Sequence, residues 1–159
     1  MIGHRPFSSP VFIISLVLAY LLYFYPLRGE LLYWRPMPVF LVVFFWLLVE
    51  PHVLGVGFAW LAGLVLDIFA GAPLGQNAMA MGISAYLLQI AGPRMKNYSV
   101  WHQLVVVAVL AMFYQLVVIV TGLVAGKSAD AWFMLYPVVS TVLLWPFVAI
   151  ALWKLYKPE

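Results

Sequence analysis

The stretch VLGVGFAWLAGLVLDIFAG, residues 53–71, decides the fold. It is apolar throughout except for one carboxylate, Asp67, and as a helix it is long enough to cross most of a bilayer. The chain has five acidic residues, and Asp67 is the one that lies inside an apolar run rather than at its end. An ionised carboxylate in hydrocarbon is costly unless something compensates it, so an acid in this setting marks a site. Working outward, the preceding apolar segment opens at Arg35, and the turn between the two segments is Glu50-Pro51-His52. Arg35 and Asp67 each lie about 15 residues from that turn. At the helical rise of about 1.5 Å per residue, both sit roughly 22 Å from it. Two antiparallel helices would bring them to one depth, which predicts a structural ion pair. A proton relay needs several ionisable groups in series, and the apolar runs hold one acid.

Composition agrees with a membrane setting. The 159 residues are 67% hydrophobic, 17% aromatic and 8% charged, against about 25% charged residues in soluble domains. Mean hydropathy is +1.08. The length suits about six helices of about 20 residues with short loops, a single transmembrane domain over 1–159. There are no cysteines, so thiol chemistry, disulfides and Cys-based metal sites are excluded. The net charge of +3 is read as membrane orientation, not nucleic-acid binding. The first apolar run is followed by Arg28-Gly29-Glu30 without a small-residue cleavage pattern, so it is expected to be a span and not a cleaved signal.

The apolar runs predict spans at 11–26, 37–49, 53–71, 76–92, 100–125 and 132–153. With the N-terminus inside, Arg5, Arg94, Lys96, Lys154 and Lys157 are cytoplasmic and Arg28, Arg35 and Lys127 are outside. The excess of basic residues inside favours this orientation, with both termini cytoplasmic. Glu50, Pro51 and His52 then form a cytoplasmic turn, and Tyr33 and Trp34 lie at the outer interface, where aromatic side chains anchor spans.

Gly55, Ala59, Gly63, Asp67 and Gly71 recur every four positions, and Gly122 and Gly126 form a second small-residue pair. Small residues let helices approach closely in lipid, either within one protein or against a partner's helix. Gln76, Asn77, Gln89 and Gln115 are scattered polar groups suited to interhelical hydrogen bonds. Nothing in the pattern points to catalysis or to a cofactor. His4, His52 and His102 fall in tails or loop ends, and no His-Glu-x-x-His helix occurs. Gly82-Ile83-Ser84-Ala85 lacks the second glycine and the histidine that an intramembrane serine nucleophile needs.

Arg35-Pro36, Trp46, Pro51-His52, Gly57, the run Gly63-Leu64-Val65-Leu66-Asp67, then Gly71 and Leu74-Gly75, follow one another in an order that resembles the rod shape-determining MreD family. Leu144-Trp145-Pro146, an apolar run and Lys154 are similar to that family's last helix. Met37 and Val53 depart from it, standing where the pattern often has an asparagine and a basic residue. The resemblance implies a non-enzymatic inner-membrane scaffold of the bacterial elongation machinery. Its implied partner is MreC, a bitopic protein with a large outer domain, and through it MreB filaments and wall synthases. The implied fold resembles the substrate-binding subunits of energy-coupling-factor vitamin transporters. A small-molecule-binding transporter subunit is therefore the alternative. A filled space around Asp67 favours the scaffold, and an open cavity there favours the binder.

Overall fold

The computed structural model describes residues 9–92, 98–128, 130, 132–133 and 135–156. Of the basic residues used for orientation, Arg5, Arg94, Lys96 and Lys157 lie outside these. Six α-helices occur among the described residues: α1 (Ser9–Phe24), α2 (Pro38–Val49), α3 (Val56–Ala70), α4 (Gln76–Ala91), α5 (Val100–Val124) and α6 (Leu135–Tyr156). A single 3-10 turn, Gly29–Leu32, lies between α1 and α2, and no strand is present among the described residues. α5 and α6 are long and apolar enough to cross a membrane, while α1, α2 and α3 are shorter apolar helices.

Each helix falls on one of the six apolar runs, with shifts at the ends. α3 starts at Val56, not Val53, because the backbone N–H groups of Val53 and Leu54 turn back to the Glu50 carbonyl (3.2 and 3.0 Å). α6 starts later than expected because Trp132 and Phe133 belong to a turn in which the Phe133 N–H bonds the Asp130 carbonyl (3.1 Å).

α2 is the axis of the bundle. Its residues from Pro38 to Leu47 are all buried. A helix that is apolar on every face can be satisfied only in this way or by lipid. Pro38 sits in the first turn, where a missing N–H costs nothing. The other helices wrap this axis: α1 packs on α2, α3 pairs most extensively with α4, and α4, α5 and α6 follow in succession. Sparse polar contacts fix the register. The Met37 N–H donates to Thr141 Oγ1 of α6 (3.0 Å), the Trp46 indole donates to Ser15 Oγ of α1 (2.9 Å), and the Tyr20 hydroxyl donates to the Ala62 carbonyl of α3 (2.7 Å). Phe40 stacks on Phe44 (4.1 Å between ring centres) and meets Tyr114 of α5 edge-on (5.6 Å).

Candidate functional site

Asp67 stands in the last turn of α3 and is buried, with 1% of its surface exposed. Both carboxylate oxygens are occupied. Oδ1 accepts the Asn77 backbone N–H and the Asn77 side-chain amide, each at 2.9 Å. Oδ2 accepts the backbone N–H groups of Gly75 (3.0 Å) and Ala78 (3.2 Å). These donors are the opening of α4. Its N-cap position is Gly75, which has no side chain to cap with, so the acid of the preceding helix supplies the cap. The electrostatics agree. A carboxylate near the C-terminal end of its own helix meets an unfavourable dipole, and the positive end of α4 reverses that. The Tyr114 hydroxyl of α5 donates to Asn77 Oδ1. One buried chain of hydrogen bonds, Tyr114 to Asn77 to Asp67, thus joins α5, α4 and α3.

The glycines of the stripe make this cap possible. A Cβ at Gly63 would lie 2.6 Å from the Asn77 carbonyl carbon and 2.7 Å from the Ala78 Cα, so only glycine lets the first turn of α4 rest on α3 one turn below Asp67. Gly71 (φ 65°) ends α3 in the left-handed conformation, and Gly75 (φ 96°) uses the same region to start α4. Ala59 is fully buried. A Cβ at Gly55 would touch the Gln89 amide of α4 at 3.7 Å. Of the two uses open to this stripe, helix packing within the chain or docking of a partner, Gly63 and Gly55 face α4, and Gly71 shapes the turn between the two helices. Gly126 (φ 79°) terminates α5, with Ala125, Gly126 and Lys127 N–H groups bonding back to the carbonyls of Thr121, Leu123 and Gly122. A Cβ at Gly122 would meet nothing within 4 Å.

The expected ion pair is also corrected. No ion pair joins Arg35 to Asp67 among the described residues. The Arg35 guanidinium lies over the Tyr23 ring (5.0 Å to its centre), and its Nη2 donates to the Tyr25 carbonyl just past the end of α1 (2.7 Å). A cation at a helix C-terminus is well placed. Equal distance from the Pro51 turn fixes depth along two helices but not the direction each side chain faces. α3 turns its Asp67 face to α4, the neighbour it packs against most, and only touches α2. Asn77 carries a role beyond a generic interhelical bond, and Tyr114, one of nine tyrosines, joins the site with no signal in the sequence to mark it. A polar residue two positions after a turn glycine is the signal that could have linked Asn77 to the preceding acid.

At the opposite end, Glu50 accepts a hydrogen bond from the Tyr156 hydroxyl of α6, which ties the turn to the end of the bundle, while Pro51 and His52 are exposed. Tyr33 and Trp34 are each about half exposed and form an aromatic platform with the turn before α6 and its first residues: Tyr33 stacks on Phe133 (4.7 Å) and Trp34 meets Tyr136 (4.8 Å). Two cavities, of about 430 and 680 Å³, lie away from Asp67, one between α2, α5 and α6 and the other between α1, α2 and α6. No metal-ligating group of three or more side chains occurs among the described residues.

Fold and site together define a protein that is all-helical among its described residues, with two helices long and apolar enough to span a membrane and a buried carboxylate that does architectural work. The chain matches the family model described as rod shape-determining protein MreD over residues 5–155, and it belongs to that family. The rod shape-determining protein MreD of Haemophilus influenzae is 24% identical to it over 123 residues, 77% of this chain and 76% of that relative. No solved structure matches the chain. Membership supports a role in rod shape determination.

Proposed function

We propose that the protein is a non-enzymatic membrane scaffold of the rod-shape complex that binds the bitopic protein MreC and, through it, serves MreB filaments and lateral peptidoglycan synthesis. The observation that carries this reading is the filled surroundings of Asp67. Both oxygens of its carboxylate are taken up by α4, and Asn77 is in turn bonded by Tyr114, so this polar cluster is satisfied within the chain and not left to meet a ligand. The fold-level likeness to vitamin-transporter subunits rests on the family resemblance and confers no substrate. The protein is a multi-pass component of the bacterial cytoplasmic membrane in this reading. Its termini and Lys154 face the cytoplasm, and Lys127, Asp130, Arg35 and Asp67 lie towards the outer face.

The contact for the partner's outer segment is the platform of Tyr33 and Trp34. Tyr33 stacks on Phe133 and Trp34 packs against Tyr136, and both remain about half exposed. Half-exposed aromatic anchors are the residues that dominate interfaces. Gly122 is buried in α5, but a Cβ there would meet nothing within 4 Å, and it is the small residue left for close approach by a second helix. Co-purification from native membranes tests the reading. The Tyr33→Ala/Trp34→Ala double variant should retain MreC several-fold less than wild type at equal abundance, and Gly122→Leu should do so separately. Undiminished retention in both would remove these contacts. Recovery of a stoichiometric small molecule and no membrane protein would replace the scaffold with the binder. Cysteine labelling of intact cells should reach position 127 and not position 154, and the reverse would invert the topology.

A further inference from the structure

The 680 Å³ groove between α1 and α6, floored by α2, has a different use. One wall is a stripe along α1 (Ile14, Leu18, Leu22) and the other is a stripe along α6 (Leu144, Val148, Leu155). The stripe on α1 runs from Val11 to Tyr25, about 21 Å of helix. At one rim stands Arg35. Its Nη2 is committed to the Tyr25 carbonyl and its face to the Tyr23 ring, and Nη1 makes no hydrogen bond to any described residue. No acidic side chain pairs with it among the described residues. We propose that this groove holds a membrane glycerophospholipid, with its phosphodiester on the Arg35 guanidinium and one acyl chain along α2.

Two observations favour a lipid over a partner's helix. Helices associate in a bilayer through small residues that let backbones meet. Of the small residues of this lining, Ser15 and Ala19 are already buried (8% and 2% exposed), with Ser15 bonded to the Trp46 indole, and Ala151 on α6 is exposed. What the walls offer outward is Ile14, Leu18, Leu22 and Leu155, each more than half exposed. Large, flexible side chains present an irregular surface to which an acyl chain conforms and a helix does not. The second observation is charge. A guanidinium with free N–H groups beside an apolar trough matches a phosphate oxygen attached to a hydrocarbon tail. One leaflet contributes about 15 Å of hydrocarbon, so a chain anchored at Arg35 reaches the membrane midplane within the length of the groove.

Native mass spectrometry of the full chain in detergent, titrated with phosphatidylglycerol, tests this. Wild type should hold one lipid. Arg35→Gln should bind it at least about tenfold more weakly through loss of a charge-assisted bond. Arg35→Gln also gives up the Tyr25 contact, so Leu18→Trp, which fills the trough at an exposed position, provides an independent arm with the same expected loss. Diacylglycerol of identical chains should bind no better than to Arg35→Gln, and inorganic phosphate alone should not compete at millimolar concentration. Equal retention by wild type and Leu18→Trp, equal affinity for diacylglycerol, or displacement of the lipid by inorganic phosphate would each overturn the site. So would recovery of a partner's helix cross-linked to Leu18 in native membranes.

Discussion

Replacing Asp67 by alanine removes four hydrogen-bond acceptor contacts at once, three to backbone N–H groups and one to the Asn77 amide. Water cannot replace them, because the Asn77 and Ala78 bonds are buried. A buried donor left unpaired costs about 1–3 kcal/mol, and the loss of a helix cap alone costs about 1 kcal/mol. Counting the two fully buried backbone donors and the amide near the lower end of that range gives about 3–5 kcal/mol. Asp67→Asn keeps one acceptor oxygen but points an NH₂ at the other donors, so about 2–3 kcal/mol should be lost. The assay is thermal or denaturant unfolding in a fixed detergent, followed by size-exclusion profile or tryptophan fluorescence. Arg35→Ala should be mild, since one exposed bond and a cation–π contact are at stake. The double variant discriminates. An Asp67 that caps α4 gives costs for Arg35→Ala and Asp67→Ala that add, within about 0.5 kcal/mol. An Asp67 that needs Arg35 gives a double variant more stable than Asp67→Ala alone. That recovery, or an Asp67→Ala protein as stable as wild type, would refute the cap.

Three more outcomes follow from contacts described above. Gly63→Ala should destabilise by about 1–3 kcal/mol, because the added methyl would strike the Asn77 and Ala78 backbone, which cannot rotate away as a side chain could; the same unfolding assay checks it. Tyr114→Phe deletes only the hydroxyl that donates to Asn77 and should cost about 1–2 kcal/mol, with α5 losing amide hydrogen-exchange protection before α3 does. Thr141→Val keeps the volume but removes the acceptor for the Met37 N–H, and should lower stability by about 1–2 kcal/mol while leaving helix content by circular dichroism unchanged.

The helices were legible because each apolar run is bounded by punctuation that a helix cannot ignore: Arg35-Pro36, Glu50-Pro51-His52, Gly71 to Gly75 and Gly92-Pro93. The importance of Asp67 was legible for the same physical reason, since an acid in an apolar run must be compensated. Its partner was not. Counting residues gives height along a helix axis, and two helices at equal height still have every relative rotation open to them. Backbone N–H groups are also invisible to a search for opposite charges, although an exposed helix N-terminus answers a carboxylate as well as a guanidinium does. The glycine stripe was legible as a close approach but left its partner open. Its four-residue spacing marked a close approach, and Gly63 is where that approach occurs, but spacing alone does not say whether the approaching helix belongs to this chain.

The way Asp67 is satisfied bears on how the chain would enter a membrane in the proposed placement. Its ligands lie 8 to 11 positions downstream, across a single tight turn. A carboxylate waiting for Arg35 would depend on the correct docking of an earlier helix before its charge was answered. One answered by the first turn of α4 is complete as soon as α3 and the start of α4 have left the ribosome and folded on each other. In the proposed multi-pass placement, the α3–α4 hairpin would enter lipid as a prepaired insert with its carboxylate already hydrogen-bonded. Arg35, whose contacts are the Tyr23 ring and Tyr25 carbonyl at the end of α1, is likewise answered within its own hairpin. These two charges are answered by near neighbours in the chain, whereas the contacts of Met37 with Thr141 and of Glu50 with Tyr156 join helices far apart in sequence.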